Sequence, residues 1–144
     1  MVFLHGLTEQ RFDKLFLWAY TLARWGTPVL LFPMSFHIGR RPPGWVSRGS
    51  FHRKISERFR QRPERFFCGG LQTYLDLVHL AEGLTSPCSG ERVLGGLFTP
   101  NPRVHFLGYS AGGYVTLILN LINPRGLFTR SKSLLFCSGA PLSY

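Results

Sequence analysis

Between Arg103 and Pro124 the chain reads RVHFLGYSAGGYVTLILNLINP, with no Asp, Glu, Lys or Arg inside those bounds. Val104 to Leu107 is a short apolar run of the length of a buried strand. Tyr114 to Ile122 is apolar almost all round, and Asn123-Pro124 closes it as a helix closes. Between the two lies Gly108-Tyr109-Ser110-Ala111-Gly112. A strand and a helix joined by so short a turn force Ser110 into a strained backbone angle. A side chain at Gly108 or Gly112 would collide with the neighbouring strand or helix. The turn lifts the Ser110 hydroxyl clear of a sheet and sets it at a helix start, where free N–H groups and the dipole favour negative charge. Two plainer readings compete. Ser110 could simply cap the helix. The stretch could also span a membrane, but its glycines, His105, Ser110 and Asn120 interrupt the roughly 20 apolar residues a span needs.

The rest of the chain supplies matching units. Met1 to Leu4 is apolar and runs into His5-Gly6-Leu7, a strand fragment and a turn. From Gln10 to Trp25, Phe12, Leu15, Phe16, Ala19, Leu22 and Ala23 recur three and four apart, which predicts an amphipathic helix with Gly26 as its C-cap. Pro28 to Pro33 is an apolar run between prolines, a second buried strand, and Ser133 to Cys137 predicts another. Leu71 to Leu84 predicts a further helix, ended by Gly83, with Asp76 and His79 as a surface pair. Thr85 to Pro102, rich in Ser, Pro, Gly and Asn, reads as a loop. Strands that are apolar throughout, alternating with helices, predict the α/β class. The expectation is a partial three-layer α/β/α sandwich around a mostly parallel sheet of about four strands.

The middle of the chain departs from this pattern. Arg40 to Arg65 holds nine of the 17 basic residues and two of the seven acids, hence +7 of the net +10. Phe51, Ile55 and Phe59 recur every four residues, the mark of a short helix with one narrow apolar stripe. The segment reads as a lid-like insertion at about 38–68, as an anion-binding patch, or as a solvated face. It contains no helix-turn-helix, zinc finger or aromatic-basic ribonucleoprotein strand, so no specific nucleic-acid motif accompanies the charge.

Composition narrows the field. At 44% hydrophobic and 15% aromatic the chain has the material for a packed core. Cys68, Cys88 and Cys137 are an odd number without metal-ligand spacing, which points to a cytoplasmic, reducing setting. No calcium loop, phosphate loop or dinucleotide fingerprint occurs, so no cofactor or metal is expected. Nothing in the residues signals an oligomeric state.

The G-x-S-x-G on a strand–turn–helix, together with His5-Gly6 after an apolar strand, resembles the α/β-hydrolase superfamily of serine esterases and lipases. That resemblance implies acyl transfer on a small-molecule ester-like substrate, with Ser110 as nucleophile and the backbone N–H groups of Leu7 and Ala111 as the oxyanion hole. A parallel sheet would bring His5, His37 and Tyr109 to the Ser110 edge as substrate-proximal residues, the alternative for the histidines being a turn or hydrogen-bonded loop residue with no role. In that family the chain order is serine, then acid, then histidine. After Ser110 this sequence has no Asp, Glu or His. The expectation is therefore one partial domain over 1–144, a core piece that carries the nucleophile and is inactive alone. Two alternatives remain open. A rearranged triad would draw its base from His5 or His37 with Glu9 behind it. A non-catalytic protein of the same fold would bind an acidic partner through its arginine-rich segment.

Overall fold

The computed structural model describes residues 1–7, 9–42, 57–85 and 103–136. Four strands are present: β1 (Val2–Leu4), β2 (Leu30–Phe32), β3 (Phe106–Tyr109) and β4 (Ser133–Phe136). They form one all-parallel sheet in the order β2-β1-β3-β4. Among the described residues the helices α1 (Asp13–Arg24), α2 (Pro63–Thr85) and α3 (Ala111–Ile122) pack around it. The α/β class and the parallel sheet expected from the alternation are what the chain adopts.

The register explains the continuous apolar runs. β1 lies between β2 and β3, with Val2 opposite Leu30 and Phe106, and Leu4 opposite Phe32 and Gly108. Successive side chains point to opposite faces, and here both faces are covered. Phe3 and Leu107 pack on Leu15 and Ala19 of α1. Val2, Leu4 and Phe106 pack with Leu77, Val78 and Ala81 of α2 and Leu119 of α3. All three β1 residues are thus buried. β4, by contrast, is exposed along its whole length.

Helix α1 ends as its sequence predicts. Gly26 sits at φ +79, its N–H donates to Ala23 O and the Thr27 N–H donates to Leu22 O, a Schellman closure. The buried stripe is narrower than the spacing suggests: Leu15 and Ala19 are buried, whereas Phe16 is 62% exposed. α3 stops at Asn123, which adopts a left-handed backbone at φ 38 and ψ 62.

Helix α2 departs most from the sequence pattern. It begins at Pro63 rather than Leu71 and runs through Gly83 to Thr85. Proline suits a first helical position because its fixed φ matches the helix and its missing N–H is not needed there. The glycines at 69 and 70 break the apolar stripe that would have signalled the first turns. Residues 63–68 of the lid-like segment therefore open a core helix; 57–61 are helical and 43–56 lie outside the described residues. Asp76 binds Arg40 at 2.5 Å and Gln72 at 2.6 Å, not His79 as the spacing suggested. Gly83 meets nothing within 4 Å of an added Cβ. Gly83→Ala is therefore expected to stabilise the fold by about 0.5–1 kcal/mol through helix propensity, read as a raised urea midpoint. Among the described residues no helix is long and apolar enough to cross a membrane.

Candidate functional site

Ser110 occupies the turn between β3 and α3 at φ 52 and ψ −116. A non-glycine residue in such a region costs of order 1–3 kcal/mol and persists only where its surroundings enforce it. The enforcement is visible on both sides. A Cβ on Gly108 would lie 2.6 Å from the Gly112 carbonyl oxygen and from Gly113 Cα, and one on Gly112 would lie 2.4 Å from the Leu4 carbonyl oxygen. The turn is tied down by hydrogen bonds from Ser110 N–H to Phe136 O at 2.8 Å and from Gly112 N–H to His5 O at 3.1 Å. The Ser110 side chain makes no capping hydrogen bond to its helix, so the reading of this serine as a helix cap is set aside.

The turn after β1 reaches the same place. Parallel pairing of β1 and β3 brings their carboxyl ends to one sheet edge. A Cβ on Gly6 would stand 3.6 Å from Ser110 Cβ and 3.2 Å from the Tyr109 ring. Residues 5–7, Tyr109, Ser110 and Ala111 are thereby brought together. Among the described residues, neither the Leu7 nor the Ala111 N–H donates a hydrogen bond.

Of the two histidines singled out by sequence, His5 is enclosed and His37 lines the cavity beside the turn. His5 is wholly buried. Its Nε2 accepts the Met34 N–H at 3.0 Å, so Nδ1 carries the proton and donates to Gly6 O at 2.7 Å. Burial depresses its pKa to about 4, against the partly opposing Gly6 bond and with a smaller push from His37. It is a neutral ring with both nitrogens engaged, not a substrate contact. His37 is 3% exposed. Its Nδ1 lies 2.8 Å from Ser35 O and its Nε2 lies against Leu7 O. The two rings are 5.1 Å apart. Glu9 orients neither, since its carboxylate takes Lys14 at 3.1 Å, and that removes the rearranged triad. His105 is remote, at the entry to β3, where its Nδ1 accepts the Lys132 N–H at 2.9 Å. Its pKa is lowered first by burial and then by the N-terminal amine, Lys132 and Arg103.

Beside the serine turn opens a cavity of about 560 Å³. Leu7 and Ala111 form part of its wall, with Phe36, Phe66 and Tyr74 from the loop after β2 and from α2, and Val115 and Ile118 from α3. Among the described residues no Asp, Glu, Lys or Arg lines it. Among the buried polar atoms of the described residues, Ser35 Oγ alone has no partner, and Ser35 borders this cavity. Sequence reasoning missed the cavity because its far wall is the first turns of α2. The available signal was Phe66-Phe67 followed by the glycine pair, bulky walls beside residues that leave room.

Of the arginine-rich segment, Arg40 is paired with Asp76 and Arg62 with Glu64, and Arg41 Nε donates to Ile38 O at 2.8 Å. One protein family, described as a family of unknown function (DUF6051), matches residues 1–54 and 50–143 of the chain. No curated protein and no solved structure matches it.

Proposed function

The chain belongs to that family of unknown function, and from the site itself we propose that it carries the nucleophile half of an α/β-hydrolase-like serine hydrolase acting on esters of an uncharged acyl group. The observation that carries this reading is Ser110 at φ 52, wedged between two glycines that admit no Cβ and adjoining two unspent amides. Ser110 Oγ attacks the ester carbonyl and its proton departs. The carbonyl oxygen gains the charge, and the N–H groups of Leu7 and Ala111 are placed to bind it. Each such donor is worth roughly 3–4 kcal/mol of barrier. The ester C–O bond then breaks, the alcohol leaves with a proton, and water hydrolyses the acyl-serine. Among the described residues no histidine or carboxylate is hydrogen-bonded to Ser110, so none of them is assigned the general base. An added base fills that role.

The apolar cavity supports the choice of acyl group, since it adjoins both amides and no described residue lining it offers a counter-ion to a charged chain. A cavity of this size suits a small ligand. Each buried methylene is worth about 0.8 kcal/mol. Rates for p-nitrophenyl esters are therefore expected to rise about fourfold per added acyl CH₂ until the cavity is filled. A fluorophosphonate should label Ser110, faster with imidazole added, and Ser110→Ala should abolish labelling. Labelling that survives Ser110→Ala, located by mass spectrometry, would show the serine assignment to be wrong.

A further inference from the structure

The loop after β2 carries a second anomaly. Phe36 at φ 66 and Ile38 at φ 51 are non-glycine residues in the left-handed region, and they bracket His37, whose own backbone is extended at φ −117 and ψ 157. Side chains with a Cβ rarely adopt that region, so two such residues around one histidine mark a conformation held for what it positions. Three contacts to α2 hold it. A Cβ on Gly69 would lie 2.6 Å from the Phe36 ring, so this glycine is what lets the ring approach the helix so closely. The Ser35 N–H donates to Thr73 Oγ1 at 3.0 Å. Arg40 binds Asp76.

The outcome of this bracing is the placement of the His37 ring. One nitrogen faces Ser35 O within its own loop and the other faces Leu7 O in the loop after β1. The adjoining peptide is fixed from the other side. Gly6 O accepts from His5 Nδ1 at 2.7 Å and from the Glu9 N–H at 3.2 Å. In a trans peptide the Leu7 N–H points opposite that carbonyl. The Gly6–Leu7 plane is thus clamped by His5 and the carbonyl that follows it by His37.

Resting on the serine-hydrolase reading, we infer that His37 is a positioning residue that holds Leu7 so that its N–H faces the oxygen bound at Ser110. It touches no reacting atom. An oxyanion donor acts only when it is aimed beforehand, so loosening Leu7 lowers kcat and leaves the apolar binding that dominates KM.

The test compares His37→Gln, whose amide keeps a donor for Leu7 O, with His37→Asn, which is one methylene too short. Both are assayed on a p-nitrophenyl ester with imidazole, alongside fluorophosphonate labelling and a thermal melt. The expected result is about a tenfold loss of kcat in the Asn variant with KM within about twofold, and recovery in the Gln variant, as a fraction of the 10²–10³ lost with a whole donor. Equal kcat in wild type and a folded Asn variant overturns the inference. If the Asn variant does not fold, a folded Gln variant still decides, because a tenfold loss in it is equally fatal. Wild-type protein that labels nowhere at Ser110 overturns the underlying reading as well. Labelling at unchanged rate in the Asn variant overturns only the role of His37.

Discussion

Gly112→Ala is expected to leave little folded protein. The added methyl would stand 2.4 Å from the Leu4 carbonyl oxygen and 2.6 Å from Leu4 C and Cβ. Leu4 lies on β1, which is paired on both sides and wholly buried, so it cannot retreat without parting from β2 or β3. Alternatively α3 moves outward and abandons Leu119 in the core. Overpacking that strikes backbone on both routes belongs among the rare substitutions that cost more than about 4 kcal/mol, a large part of the whole stability of a domain. Soluble yield and a circular-dichroism melt check it. A Gly112→Ala protein within about 1 kcal/mol of wild type contradicts the close packing of α3 on β1. Gly6→Ala makes the useful contrast. Its methyl is tight only against the edge of the Tyr109 ring, at 3.2 and 3.3 Å, with Ser110 Cβ at an ordinary 3.6 Å, and a ring edge can shift.

The second large effect is acid sensitivity set by His5. Its pKa falls from 6.5 to about 4 on folding, chiefly by burial, so between those values the unfolded chain binds a proton that the native chain refuses. Stability is then fully present above pH 6.5 and declines as pH falls toward about 4. At about 1.4 kcal/mol per pH unit the loss reaches roughly 3 kcal/mol. The check is the unfolding free energy from urea titrations at pH 7 and pH 4.5, in wild type and in His5→Gln. Glutamine offers an acceptor for the Met34 N–H and does not titrate. Its unfolding free energy should therefore fall less on acidification, and an equal fall in both proteins would remove His5 as the cause.

These two effects lie on opposite sides of what the sequence discloses. Gly108 and Gly112 were legible as close contacts because a strand, a serine turn and a helix in so few residues leave little room for side chains at the turn. The parallel sheet was legible because Val2 to Leu4, Leu30 to Phe32 and Phe106 to Leu107 are apolar on both faces, as only a covered strand can be. His5 was legible as a turn residue, but its bond to Met34, just past β2, spans a sequence separation of 29. Local pattern carries no trace of such a contact. The first turns of α2 were hidden for a related reason. Arg62, Glu64 and Arg65 look like solvated chain, and Gly69 and Gly70 look like breakers, until the Phe36 ring is seen against Gly69. The positive φ at Phe36 and Ile38 has no signature at all in residues that normally avoid it.

The hydrogen bond from Ser110 N–H to Phe136 O joins the serine turn to the barest strand of the sheet. β4 pairs with β3, and every one of its residues is exposed. A strained corner relaxes wherever its tether has slack, and here the tether is anchored in an exposed strand. Whatever stiffens that outer edge tightens the serine as well, although it never approaches the hydroxyl.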